Sequence, residues 1–401
     1  MPEPRRGSMG WSICWAKPMA AIHLPRTIRI GGGVLAELPE VLRQNGLARP
    51  LIVTDAWIES VGLLARVEGL LAKAGIAARA FTGVVPDPTV ASVEAGCTFL
   101  AEGSHDCVIG LGGGSPIDSA KMIAVKGTRR IADLKAPHQE NQPGLPIIAI
   151  PTTAGTGSEA TRFTVITDAE SDEKMLCAGL AYLPQIAVVD YELTLTKPAR
   201  LTADTGIDSL VHAIEAYVSK QANPFADSMA LSAMRLIWPN LPRACKDPGD
   251  RAAREALMLG ALQGGIAFSN SSVALVHGMS RPIGAHFHVS HGLSNAMLMP
   301  LVTEWSVPAA LGRYATCART MDIASPEESD QSAAARLVGA LHAINHDLAV
   351  PSPAAYGIDR ARWDALVPLM AQQALASGSP ANNPRVPGAE EIAALYARAY
   401  R

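Results

Sequence analysis

Short apolar runs alternate with amphipathic stretches through the first half of the chain. The runs are bounded by turn-forming residues, as buried parallel strands usually are. They are Thr27–Gly31, Pro50–Thr54, Ala77–Phe81, Cys107–Leu111, Leu145–Ile150 and Ile186–Asp190. Helical patterns lie between several of them, at Val34–Gln44, Val61–Ala74 and Ala91–Ala101. This alternation predicts βαβ units around a mostly parallel sheet.

The pattern changes after about residue 196, where strand signals stop and long helical patterns rich in Ala and Leu follow. These patterns are Asp204–Ser219, Pro224–Leu241, Ala252–Ala267, Ala333–Asp347, Arg360–Ala376 and Ala389–Tyr400. We therefore predict an α/β domain over residues 20–196 and an all-α domain over residues 197–401, with the boundary near Thr196–Pro198.

Composition agrees with two folded domains. The chain has 401 residues, more than the roughly 250–300 at which single cores usually divide. Hydrophobic residues make up 48%, charged residues 18%, and the formal charge is -3. These values exclude a disordered chain and argue against nucleic acid or an anionic membrane as the main partner.

Cysteine spacing and the N-terminus bear on the compartment. The six cysteines form no CxxC pair, which speaks against a disulfide framework or a thiolate zinc site. Residues 1–19 are a poor secretory signal and are interpreted as an N-terminal extension, with Met9 or Met19 as alternative starts. The sequence therefore predicts a cytoplasmic protein.

A glycine triplet follows the apolar run at Cys107–Leu111. Gly112, Gly113 and Gly114 precede Ser115, Pro116 and Asp118. The pattern predicts a helix with Ser115 as N-cap, Pro116 in its first position and Asp118 closing a capping box. Backbone N–H groups at such a helix N-terminus favour a bound diphosphate.

Two further features point to the same ligand. The loop Pro151–Glu159 contains Thr152, Thr153 and Ser158 and follows a predicted strand, so its hydroxyls would line the crevice at the sheet edge. Asp55 ends another strand, where a carboxylate can accept hydrogen bonds from the adenosine ribose and favours NAD over NADP. The usual dinucleotide fingerprint places this acid after the glycines. Here it comes before them, so the unit is not a standard Rossmann motif.

Acidic and histidine residues of the second half suggest a metal site. Asp208 and His212 are four positions apart, which places them on one helix face. Of the ten histidines, five lie at positions 212, 277, 286, 288 and 291. One carboxylate with three imidazoles suits iron(II) or zinc, and composition does not choose between them.

Together these motifs resemble the iron-containing (group III) alcohol dehydrogenases. The similarity extends from about residue 24 to the end and includes Gly112–Lys121, Thr152–Glu159, Thr205–Ser219, His277–Gly292 and Asn382–Arg385. It implies a metal held by Asp208, His212, His277 and His291. It also implies that the cofactor contacts Asp55, Gly112, Gly113, Gly114, Ser115, Asp118, Thr152, Thr153 and Ser158.

The resemblance implies a metal-dependent, NAD(P)-linked alcohol dehydrogenase or aldehyde reductase, with homodimers common among relatives. One position departs from the family, because Arg281 stands where members often carry a histidine proposed to relay a proton. Arg281 is therefore a candidate for binding a carboxylate, phosphate or cofactor group. Three alternatives remain open: a metal-free maleylacetate-reductase-like enzyme, a dehydroquinate-synthase-like lyase and a non-catalytic nucleotide-binding protein.

Overall fold

The computed structural model describes residues 20–171 and 173–401. The N-terminal extension predicted for residues 1–19 lies outside the described residues. Strands in the first half are β1 (Thr27–Ile30), β2 (Pro50–Asp55), β3 (Arg79–Val84), β4 (Cys107–Gly112), β5 (Ile147–Pro151), β6 (Phe163–Asp168), β7 (Glu173–Ala178) and β8 (Ile186–Val189). Helices there are α1 (Leu38–Gln44), α2 (Ala56–Ser60), α3 (Leu63–Lys73), α4 (Val90–Ala101) and α5 (Gly114–Val125).

Six of these strands form one sheet in the order β1-β8-β5-β4-β2-β3, and its pairs are parallel. Successive side chains of a strand point to opposite faces. In β2, Ile52 therefore packs with α1 and α3 on one face, whereas Leu51 and Val53 pack with α4 and α5 on the other. Both faces are covered, as a parallel sheet requires.

The remaining strands, β6 and β7, form a separate antiparallel hairpin that the sequence analysis did not predict. Its strands are only partly buried, and β7 begins with two charged residues, Glu173 and Lys174. A short, half-polar strand gives a weak periodic signal. The hairpin matters because it follows the loop Pro151–Glu159 directly and lies against α5.

The second half is helical throughout its regular structure, as predicted. Its helices are α6 (Ala199–Val218), α7 (Pro224–Lys246), α8 (Arg251–Ser269), α9 (Leu275–Phe287), α10 (His291–Ser306), α11 (Leu311–Thr320), α12 (Asp330–Asp347), α13 (Arg360–Ala376) and α14 (Ala389–Ala399). Almost every residue of α6 after its first turn is buried, because α7, α8 and α10 surround it.

Helices α9, α10 and α11 were not predicted from the sequence. Pro282 lies inside α9 and Pro300 lies inside α10. Each proline removes an intrahelical hydrogen bond and so weakens the helical signal of the sequence. Tertiary packing overrides this local preference, since most residues of α9 and α10 are buried in the helical core. No helix among the described residues has the length and apolar character that a membrane span requires.

Candidate active site

The glycine loop and the loop Pro151–Glu159 meet at the carboxyl edge of the sheet. They follow the neighbouring strands β4 and β5, and the Thr152 N–H donates to the Gly112 carbonyl at 2.9 Å. Gly112 has φ +149°, and a Cβ there would lie 2.5 Å from Cγ of Pro116. Only glycine fits this position. The fold therefore brings the two predicted cofactor loops together at one edge of the sheet.

The capping prediction for the glycine loop is wrong in detail. Helix α5 begins at Gly114, with Gly113 as N-cap and no side-chain cap, so Ser115 and Pro116 lie in its first turn. Asp118 closes no capping box, because its carboxylate accepts from the Ser158 hydroxyl at 2.6 Å and from the Val165 N–H at 2.9 Å. The uncapped N–H groups of α5 therefore remain available to an anion.

Lys121, a residue that the sequence analysis quoted but gave no role, ties the two loops together. Its buried ammonium group donates to the Ser158 hydroxyl at 2.8 Å, the Thr161 carbonyl at 3.0 Å and the Phe163 carbonyl at 2.7 Å. Burial lowers the pKa of Lys121 to about 8. Asp118 and Ser158, both predicted cofactor contacts, thus have partners inside the protein, and their contact with cofactor stays a prediction.

Asp55 lies at the same edge of the sheet, at the end of β2. Since β2 pairs with β4 in parallel, its carboxylate is on the side of the glycine loop. One oxygen caps α2 by accepting the Ile58 N–H at 2.8 Å. The second oxygen has no hydrogen-bond partner among the described residues and is available to a ligand.

The four predicted metal ligands converge. Asp208 and His212 lie on α6, His277 on α9 and His291 at the first position of α10. One ligand atom from each lies within 4.8 Å of the others. The Asp208 Oδ1 is 3.8, 3.5 and 3.7 Å from Nε2 of His212, His277 and His291. This donor set and its spacing fit a divalent transition metal.

The protonation states suit a metal as well. Burial raises the pKa of Asp208, but the three imidazoles outweigh it and hold the carboxyl pKa far below its usual range. Removal from water lowers the pKa of His212 to about 4 and that of His291 to about 3. Burial acts to lower the pKa of His277, but its hydrogen bonds to Asp208 and Glu215 outweigh burial and raise that pKa. At neutral pH the cluster therefore presents an ionised carboxylate and the neutral lone pairs of His212 and His291, and a metal would displace the proton that His277 holds.

Glu215 orients His277, a role that the sequence analysis did not assign to it. It is 3% exposed and accepts from the Ala274 N–H at 2.8 Å, the Val276 N–H at 2.6 Å and Nδ1 of His277 at 2.7 Å. Because Glu215 accepts from Nδ1, this nitrogen carries a proton, and Nε2 is the nitrogen that faces Asp208. The sequence did contain a signal for this role, because Glu215 follows Asp208 by seven residues and so lies on the same helix face.

Asn295 is a second residue that the sequence did not reveal. It lies one turn after His291 on α10, and its Nδ2 is 2.6 Å from the Asp208 Oδ1 and 3.2 Å from Nε2 of both His277 and His291. Three acceptors thus share the two N–H donors of one amide group, while the Asn295 Oδ1 is buried without a partner. Such crowding of acceptors around one point is what a cation would relieve.

The metal cluster adjoins the cofactor loops. The Ser209 hydroxyl on α6 donates to the Gly155 carbonyl of the second loop at 2.8 Å. The Phe268 ring stacks on His212 at 4.4 Å and on Phe163 at 6.2 Å between centroids. His291 keeps 37% of its side chain exposed, so the cluster is open on that side.

The other residues of the histidine-rich stretch lie apart from this cluster. His286 contacts Gln373 at 2.8 Å, and His288 is exposed. Arg281 lies one turn beyond His277 and donates to the Ser379 hydroxyl at 2.9 Å. Burial lowers the pKa of Arg281 to about 10. It therefore stays charged at neutral pH, and it pairs with no carboxylate among the described residues.

Comparison with known proteins agrees with both halves of this arrangement. Residues 25–191 match the family model described as iron-containing alcohol dehydrogenase, and residues 202–400 match that of the Fe-containing alcohol dehydrogenase family, C-terminal. The NAD-dependent methanol dehydrogenase of Bacillus methanolicus is 36% identical over 95% of this chain and 100% of its own. The lactaldehyde reductase of Escherichia coli K12 is 34% identical over 94% and 98%. An alcohol dehydrogenase from Oenococcus oeni superposes with a TM-score of 0.91 at 31% identity, covering 95% and 100%.

Proposed function

The chain belongs to the iron-containing alcohol dehydrogenase family, and from this premise we propose how its residues carry the reaction. It is an NAD(P)-dependent oxidoreductase of alcohols and aldehydes. The observation that carries the proposal is the convergence of Asp208, His212, His277 and His291 beside the loop Pro151–Glu159. A small alcohol or aldehyde would enter on the open side of the cluster, at His291.

The four converging residues would hold iron(II) or zinc, and both metals accept this donor set. A bound divalent ion polarises an alcohol or carbonyl oxygen as a Lewis acid and brings the pKa of water from 15.7 to about 7. The protein would supply the anionic oxygen of Asp208 and one imidazole nitrogen from each of the three histidines, with His277 held by its hydrogen bond to Glu215. Neither metal is favoured by an observation of this structure.

The nicotinamide cofactor would lie across the sheet edge. The N-terminus of α5 and the backbone of Gly113 and Gly114 would bind its diphosphate. Thr152 and Thr153 would contact it from the second loop, with Ser115 at the start of the helix. Asp55 would accept a hydroxyl of the adenosine ribose with its second oxygen, which favours NAD. The cofactor takes up or delivers the hydride, while the protein supplies position and field.

Arg281 does not act as a proton relay in this proposal. A guanidinium that stays charged at neutral pH cannot accept the proton that the family's histidine is proposed to carry. Its single hydrogen bond leaves other N–H groups for an acceptor in the crevice. We propose that it binds a negatively charged or strongly polar group of the substrate, such as the carboxylate of a small hydroxy acid.

An absorbance screen at the NADH band tests the function. Chelated protein is assayed on alcohols, diols, hydroxy acids and aldehydes, with iron or zinc added back one at a time. We expect turnover that depends on the added metal. Turnover that survives complete chelation would favour a metal-free reductase, and consumption of a sugar phosphate without net NADH would favour a lyase. No observation of this structure favours either alternative. Homodimer assembly and a cytoplasmic location stay predictions.

A further inference from the structure

The amine of Lys197 lies at the far end of the crevice from the metal cluster. Lys197 precedes α6 and is 6% exposed, and its Nζ lies 3.7 Å from the centroid of the Trp57 ring. Within the described part of the chain this amine has no hydrogen bond and no ion pair. Lysines are almost never this buried unless a charge partner is present, so the arrangement calls for an explanation.

Asp55 is the charged group that acts on the pKa of this amine. Its negative charge acts to raise the pKa of Lys197, although burial prevails and lowers that pKa to about 8. The two groups form no ion pair among the described contacts: one Asp55 oxygen caps α2, and the Lys197 amine lies over the Trp57 ring. The second Asp55 oxygen and the Lys197 ammonium group are thus both without a hydrogen-bond partner, and they are close enough for the charge of Asp55 to act on the amine.

Lys197 is connected to the proposed cofactor crevice through the second loop. It lines a small cavity together with Thr153 of that loop, Thr194, Thr205 and Arg254, and Arg254 already donates to the Thr202 hydroxyl at 2.7 Å. Ala199 and Asp208 are nine positions apart on α6, which corresponds to about 14 Å at about 1.5 Å per residue. The start of α6, two residues after Lys197, is thus well separated along the helix axis from the metal ligand Asp208.

We propose that Lys197 binds the 2′-phosphate of NADP and so offsets the repulsion that Asp55 would otherwise impose. This inference rests on the proposed cofactor site. With Asp55 alone, a dianionic 2′-substituent meets a carboxylate and is rejected. With Lys197 beside it, the same substituent gains a charge-assisted hydrogen bond, so the enzyme accepts both NAD and NADP.

The test measures binding of nucleotide fragments and needs no turnover. Adenosine 2′,5′-bisphosphate and AMP are titrated calorimetrically into the metal-loaded, full-length protein and into Lys197→Met. A hydrogen bond to a charged group contributes about 1.5–3 kcal/mol. We therefore expect Lys197→Met to weaken the bisphosphate about 10- to 150-fold more than AMP. Lys197→Arg should retain most of the preference, and Asp55→Asn should strengthen the bisphosphate relative to AMP.

Lys126→Met is the matched control, because Lys126 has the same 6% exposure but pairs with Glu94 at 2.9 Å at the opposite end of α5. Lys126→Met should leave the affinity for the bisphosphate relative to AMP unchanged. Equal weakening of both nucleotides by Lys197→Met, in a variant whose circular dichroism is unchanged, would overturn the inference. If the parent protein binds neither nucleotide, the crevice is not a nucleotide site and the proposed function fails with it.

Discussion

Replacing Glu215 by glutamine tests whether this carboxylate orients a metal ligand. Its Oε2 accepts from the Ala274 N–H and from Nδ1 of His277, and its Oε1 accepts from the Val276 N–H. An amide keeps one acceptor oxygen and replaces the other by a donor. If its oxygen takes the Oε2 position, its NH2 group faces the Val276 N–H, a contact that is 2.6 Å long in the parent.

The magnitudes follow from this geometry. Leaving a buried N–H unsatisfied costs about 1–3 kcal/mol of unfolding free energy. The contact with His277 persists but loses its ionic character, and charge-assisted hydrogen bonds are roughly twice as strong as neutral ones. Changing the partner of a ligating histidine lowers metal affinity by about 10–100-fold. Glu215→Gln should therefore lose both stability and metal affinity, but remain folded.

The assay separates these two losses. Metal affinity is measured by competition with a chromophoric chelator, using zinc. Thermal unfolding is followed with and without zinc. Because stabilisation by a ligand follows its concentration relative to Kd, a tenfold weaker site loses about 1.4 kcal/mol of the zinc-induced stabilisation. The difference between the two melting curves therefore reports the site itself.

Glu140→Gln supplies the matched control. Glu140 is 2% exposed, pairs with Arg129 and accepts the Gln142 N–H at 2.8 Å, but it lies in the α/β domain. It should lower stability and leave the zinc affinity unchanged. The reasoning is refuted if Glu215→Gln binds zinc as tightly as the parent, or if Glu140→Gln weakens zinc binding to the same extent.

Three further predictions concern the ends of the crevice. Asp208→Asn removes the anionic ligand, so metal analysis after gel filtration should show loss of the ion from a folded protein; full occupancy would contradict the ligand assignment. Arg281→Gln should lower kcat/KM for small hydroxy acids about 10- to 150-fold more than for neutral alcohols, and an equal effect on both classes would remove the anion-binding role. The pKa of Lys197 falls from 10.5 to about 8 on folding, so the unfolded chain binds more protons between these values and stability rises with pH there. Lys197→Met should accordingly be more stable than the parent at pH 7, by about 1 kcal/mol after allowing for solvent screening, and this gain should vanish near pH 10.5.

The sequence predicted the parallel sheet and the positions of its strands because these strands are buried on both faces. Cys107–Gly112 and Ile147–Pro151 are fully buried, so their residues form unbroken apolar runs between turns. The fold class, an α/β half followed by a helical half, is thereby confirmed. The hairpin β6–β7 escaped prediction because its exposure breaks the pattern, and α9 because Pro282 weakens the helical signal.

The candidate site was predictable where it depends on local spacing. Asp208 and His212 share a helix face by periodicity alone, and Glu215 continues that face. Residues that depend on tertiary structure gave no such signal. Asn295 reaches Asp208 only because α10 packs on α6, and Lys197 reaches Trp57 only because the segment before α6 lies next to α2. The sequence alone therefore predicts site residues that are spaced along one element, but not those that are brought together by contacts between elements.

Each end of the proposed crevice has one cation: Arg281 lies near the metal cluster, and Lys197 lies at the Asp55 end. Two other buried cations have their charge or their N–H groups satisfied, Lys126 by Glu94 and Lys121 by several oxygens. Arg281 and Lys197 lack carboxylate partners, and removal from water lowers the pKa of each. Such groups destabilise the folded protein unless a ligand brings the opposite charge. Since Arg281 lies one turn from the proposed metal ligand His277 and the charge of Asp55 acts on Lys197, we expect substrate and cofactor to bring the missing anions. Both ligands should consequently stabilise the protein most when they carry an additional negative group at those positions.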